Sequence, residues 1–180
     1  MPPEALRPAA AAAGETDDLR VWLSANSGAV IEDVARDFGV TPRAVLAALP
    51  EGLVRFAPGT AFVAAMTDIA EWGEVTLIVH SADGIFEFGG AVPPGEIGRG
   101  YYNLAGASGL HGHLRAERCG GLAFVTRAFM NRPSAFVAFL NIDGGIMFKV
   151  FVGRGADRAL RPDQLARFHA LAERLSGERG

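Results

Sequence analysis

The spacing of hydrophobic residues changes period along this chain, and the changes divide it. Leu19, Trp22 and Leu23 lie three and four apart and predict a first helix. Ile31, Val34, Ala35 and Phe38 fall at i, i+3, i+4 and i+7, one face of a second helix that Gly39 ends. Thr41-Pro42 supplies an N-cap and a first-turn proline for a third, with Val45, Leu46 and Leu49 inward. Two helices joined by a short glycine turn form a helix-turn-helix pattern. Pro50, Gly52 and Pro58-Gly59 break it, and TAFVAAMTDIAEW resumes a helical face through Phe62, Met66, Ile69 and Ala70, closed by Gly73.

From Glu74 the period falls to two. Val75, Leu77 and Val79 alternate with Thr76, Ile78 and His80; SADG turns the chain and IFEFGGAV returns, a β-hairpin. PPGEIGRG reads as irregular. YYNLAG and LHGHLRAE are short strand-like runs, LAFVTRAF is a further strand, and AFVAFLN-IDGG-IMFKVFVG is a second hairpin. Pro162-Asp163 opens a final helix with Leu165, Phe168, Ala172 and Leu175 inward.

With helices at both ends and no β-α-β alternation between, the expected class is α+β, a large and mainly antiparallel sheet with flanking helices. The expected organisation is a disordered Ala/Pro tail over residues 1–17, a helix-turn-helix-like unit over 18–51 and one α+β domain over 52–180. The composition, 49% hydrophobic with 12 Phe, is enough for a real core. No apolar run approaches the roughly 18 residues that span a bilayer, and the N-terminus lacks the basic start and apolar stretch of a signal peptide. A lone cysteine suits a reducing compartment, so a cytoplasmic location is expected.

Charge bears on the helical unit. Residues 15–51 carry three Arg against seven acids, and the whole chain has a net charge of -3. Phosphate neutralisation supplies most DNA affinity, and early positions of the third helix offer only Arg43 among Thr41, Ala44 and Ala47. A structural or protein-contact role is therefore expected ahead of DNA binding, and neither nucleic acid nor an anionic membrane is an expected partner.

The chemistry concentrates between Trp72 and Cys119, which holds His80, His111, His113, Tyr101, Tyr102 and the cysteine. There is no P-loop, dinucleotide fingerprint, nucleophile elbow or paired-cysteine motif. Imidazole binds zinc, copper and haem iron, and phenolate binds ferric haem iron. In an extended run His111 and His113 share a face. Haem also needs an apolar face, which Phe86, Phe88, Phe124 and Phe136 could supply, and cations for its propionates, which Arg99 and Arg115 could supply. Covalent attachment is not expected, because C-x-x-C-H is absent. His169, on the last helix, reads as structural, and Cys119 as a small buried residue.

These pieces resemble one family in order and spacing: ALPEG (48–52), MTDIAEWGEVTLIVH (66–80), IFEFGG (85–90), GYYNL (100–104), GHLRAERC (112–119), FM (129–130) and MFKVFVGR (147–154). The family is the cytosolic haem-utilisation carriers, HutX/ChuX-like. The resemblance spans residues 19–175 and implies a homodimeric α+β protein similar to one half of longer two-repeat haem-handling proteins. It implies non-covalent binding of haem b and transfer to a cytosolic haem-degrading enzyme, without turnover. His80 and His113 fall on family histidines linked to haem iron, with Tyr101 and Tyr102 as further candidates and His111 ranked below. Haem breakdown, a helix-turn-helix regulator and a His-x-His zinc element are the alternatives.

Overall fold

In a computed structural model, residues 13–106 and 109–177 are described. Three helices come first: α1 (Ala13–Ala25), α2 (Ile31–Asp37) and α3 (Pro42–Ala48). Residues 1–12 of the expected tail lie outside the described residues, whereas residues 13–17 belong to α1 and correct that expectation. Thr41 caps α3 by accepting from the Ala44 amide at 3.2 Å, and Gly39 takes the left-handed φ of 65° that ends α2.

The rest is β1 (Val54–Pro58), α4 (Phe62–Ile69), β2 (Glu74–Ser81), β3 (Gly84–Ala91), β4 (Gly95–Gly98), β5 (Tyr101–Leu104), β6 (Gly112–Leu114), β7 (Cys119–Phe129), β8 (Arg132–Asn141), β9 (Ile146–Phe151) and α5 (Pro162–Gly177). Six strands pair in the order β1-β7-β8-β9-β2-β3, every pair antiparallel, and β4-β5-β6 form a second small sheet. The α+β class and both predicted hairpins are present. Two strands depart from the sequence reading: β1, an edge strand ending on Pro58, and β4, inside the segment read as irregular.

The large sheet is covered on both faces, and residue parity decides which. Leu122, Phe124, Val137, Phe139, Phe148 and Val150 pack against α4, α5 and β5. Their neighbours Ala123, Val125, Phe136, Ala138 and Leu140 pack against Leu19, Leu23, Ile31, Val34, Val45 and Leu46 of the helical unit. Coverage on both faces makes β8 a continuous hydrophobic run rather than an alternating one. The helical unit thus shares its core with the sheet. The N-terminal positions of α3 are taken up there too: the Arg43 amide donates to Gly144 O at 2.9 Å, and its guanidinium lies 5.7 Å from the Phe56 ring centroid.

One buried polar side chain ties α5 to this frame. Gln164 donates to Trp72 O and Glu74 O, both at 2.8 Å, and accepts from the Gly153 amide at 2.7 Å. All three backbone groups lie beyond Thr76 and Phe151, where the β2–β9 ladder ends, so the side chain takes the place of the missing strand partner.

Candidate functional site

Parity also sorts the candidate residues. On β2, Val75 and Leu77 face the α4–α5 core, so Thr76, Ile78 and His80 face the opposite side, beside α2. There the helical unit stops short of covering β2 and β3. A half-open cavity of about 400 Å³ remains between the α1–α2 loop and the sheet. Its apolar wall is Val30, Ile31, Ile78, Ile85, Phe129, Phe136 and Phe151; its polar groups are His80, Arg127, Lys149, Arg154, Glu87, Thr76 and Ser134.

Arg127 and Lys149 are each only 7% exposed. Arg127 sits on the inward parity of β7, after Ala123 and Val125, and donates to Ser27 O at 2.6 Å and Ala29 O at 2.7 Å. It lies 5.8 Å from the Phe136 ring centroid, and its Nε has no partner. Burial pushes its pKa down to about 10, with the Glu32 charge opposing, so it stays cationic at neutral pH. Lys149 pairs with Glu32 of α2 (Nζ–Oε1 2.5 Å), while Glu32 Oε2 makes no hydrogen bond and faces His80 Nδ1 at 3.5 Å. A buried charge needs pairing, and these groups supply it only in part.

The other candidates gather on the small sheet. Asn103 Nδ2 donates to Gly98 O (3.0 Å), Tyr101 O (3.2 Å) and Glu96 O (3.3 Å), which fixes its amide orientation. Asn103 Oδ1 then accepts from His113 Nδ1 at 2.7 Å, the cross-strand partner in register. That bond leaves the His113 Nε2 lone pair free, the tautomer a metal ligand needs. Tyr101 lies edge-on to His113, with centroids 5.9 Å apart, and its hydroxyl accepts from Arg115 at 3.0 Å. Arg99, at a left-handed φ of 53°, completes an open cup of about 600 Å³ with Glu96, Gly98, Tyr101, Asn103 and His113.

The structure brings Tyr101, His113, Arg99 and Arg115 together. His80 lines the other cavity, which shares no residue with the cup. Tyr102 is corrected: it is fully buried in the core, edge-on to Phe62 at 5.5 Å, with its neighbour Gly95 so close that a Cβ there would lie 2.5 Å from the ring. Its hydroxyl lies near Thr67 and Gly95 but makes no hydrogen bond of normal geometry, and burial raises its pKa. The four phenylalanines do not form one face either. Phe88 and Phe124 pack on the α4–α5 side, Phe136 lines the cavity on the other, and Phe86 is 72% exposed. His111 is exposed in the loop before β6, and among the described residues no group of three His, Cys, Asp or Glu could hold a metal ion.

Sequence reasoning missed Arg127, Lys149, Glu32 and Arg154. A cation on the buried parity of a strand was the available signal for Arg127, and the single lysine of the chain for Lys149.

An apolar, cation-lined cavity between a helical layer and an antiparallel sheet defines a class of α+β small-molecule-binding protein. The family model described as Haem utilisation ChuX/HutX matches residues 55–171, and the chain belongs to that family. The chain is 39% identical over 141 residues to the Intracellular heme transport protein HutX of Vibrio cholerae, covering 78% of this chain and 73% of that one. Among solved structures, an Erwinia carotovora protein is 43% identical with a TM-score of 0.84 over 87% of this chain and 98% of that one. The Heme Binding Protein ChuX is 37% identical with a TM-score of 0.80 over the same shares, 87% and 98%. No helix among the described residues is long and apolar enough to cross a membrane.

Proposed function

We propose that this protein carries haem, binding it non-covalently in the cavity between the α1–α2 loop and the large sheet and passing it to a haem-degrading enzyme in the cytoplasm. One observation carries the placement: three phenylalanines and three isoleucines form a wall that opens beside three cations, two of them buried. A flat apolar macrocycle with two carboxylates needs that combination. The unpartnered Arg127 Nε is a donor awaiting such a group. His80 is the nearest candidate for the iron side, and haem b is the form expected, since nothing in the chain would attach it covalently. The relatives' names, a heme transport protein and a heme binding protein, support the cargo.

A second reading of the iron ligand has its own support. The Asn103 bond presets His113 with Nε2 free beside Tyr101, in an open cup suited to exchange. We also propose a homodimer, because β3 is an edge strand exposing Ile85 and Phe86 at 57% and 72%. We propose carriage without turnover.

Titration with ferric haem tests these readings on wild type, His80→Ala, His113→Ala and Tyr101→Phe. A saturable Soret band that weakens about tenfold in His80→Ala supports the cavity, on the scale of losing one ligand. A band altered by His113→Ala or Tyr101→Phe and indifferent to His80→Ala moves the iron to the cup. Bleaching to a defined tetrapyrrole with reductant and oxygen would overturn carriage without turnover, and no saturable band would overturn the carrier reading.

A further inference from the structure

The structure assigns Glu32 a part in choosing the cargo: its carboxylate holds the seat that a ligand carboxylate would take, and must yield it. The inference rests on the cavity reading above. Lys149 and His80 line the cavity, yet the anion they face comes from α2. The side chains of Lys149, Glu32 and His80 are 9%, 15% and 15% exposed, so water screens this pair poorly. Only one Glu32 oxygen is satisfied, by Lys149; the other has no hydrogen bond. Glu32 is thus held at one point, and a second carboxylate arriving at Lys149 would meet like charge at close range.

Two outcomes follow from the ligand's chemistry. A dicarboxylate porphyrin competes with Glu32 for Lys149 and reaches the unpartnered Nε of Arg127. Displacing Glu32 loosens α2, and drawing Arg127 towards the ligand loosens its grip on Ser27 O and Ala29 O. An esterified porphyrin makes no such demand and leaves the latch closed. Cargo carboxylates and the fastening of the helical unit are therefore one equilibrium.

The test compares ferric haem with its dimethyl ester, in one dilute-detergent buffer, on wild type and Glu32→Gln. Removing the competing charge is expected to tighten ferric haem about tenfold, the scale of one charge pair at a partly buried site, and to leave the ester's affinity unchanged. Equal effects on both porphyrins, no effect, or weaker haem binding would overturn it. Hydrogen exchange on the wild type stands independently of how the variant folds. Amides of residues 27–34 are expected to lose protection on binding haem and to keep it on binding the ester; unchanged protection with haem bound would overturn the latch. If neither porphyrin saturates, the cavity reading falls and this inference with it. If both bind but Glu32→Gln does not separate them, only the inference falls.

Discussion

The two polar clusters use the same residue types to opposite effect. In the cup, Tyr101, His113 and Arg115 are set by hydrogen bonds on a small sheet open to solvent. In the cavity, His80, Arg127, Lys149 and Glu32 are set between two layers, and two of the cations are nearly inaccessible. Water compensates any group lost from the cup, whereas the cavity leaves the lost partner bare. The cavity cluster is therefore part of what holds the helical unit to the sheet. Binding and stability should be separable in the cup and inseparable in the cavity.

The largest expected effect tests that coupling directly. Arg127→Met removes both bonds to the α1–α2 loop, leaving the Ser27 and Ala29 carbonyls without that donor, and takes away a buried cation near the Glu32–Lys149 pair, so stability should fall by about 3 kcal/mol in urea unfolding. A loss below about 1 kcal/mol would show that the loop carbonyls are satisfied without it. Next is Lys149→Met, which strands the Glu32 carboxylate and should cost about 2 kcal/mol. Adding Glu32→Gln to it should restore more than half, because both ends of the pair are then neutral. Additive losses would mean that the pair does not act as a unit.

Smaller effects belong to the cup. Asn103→Ala should cost about 1 kcal/mol, from its bonds to half-buried strand carbonyls, and should free the His113 ring to take either tautomer. His113→Ala should then change stability by less than about 0.5 kcal/mol, being a surface change. If the iron sits in the cup, Asn103→Ala should shift the Soret band without altering the ligand itself. If it sits in the cavity, the spectrum should not respond to either variant.

Much of this frame was legible, and the misses have physical causes. Helical periods, both hairpins and the α+β class follow from local spacing. β1 was hidden because only five residues, Leu53 to Ala57, lie between the breakers Gly52 and Pro58, too short a run to show a period, and an edge strand tolerates a terminal proline. β4 was hidden because its first residue is a glycine that close packing requires: a Cβ at Gly95 would lie 2.7 Å from Asn103 O. The cavity was hidden for a different reason. Glu32 and Lys149 are 117 positions apart, and no local pattern brings them together. The family resemblance pointed to His80 but carried no sign that its neighbours would come from the helical unit.

Tyr101 and Tyr102 give the sharpest lesson about parity. Tyr102 shares its strand face with Leu104, and Tyr101 shares its face with Asn103; that alternation was enough to place one inside and one outside. Because the Tyr102 hydroxyl is buried without a hydrogen bond, Tyr102→Phe removes a desolvated group and leaves the ring packing intact. Stability at neutral pH should change by less than about 1 kcal/mol, with no change in the haem spectrum. The pH dependence should change instead. Burial raises the folded pKa of Tyr102 above its ordinary value of 10.0, so above that value the unfolded chain loses a proton that the folded chain keeps. Stability therefore falls as pH rises past the unfolded value, and Tyr102→Phe should flatten that alkaline limb. Thermal melts of the two proteins from pH 8 to 11 read this directly. Parallel alkaline limbs would mean that the phenol reaches water in the folded protein, which would return Tyr102 to the cup beside Tyr101.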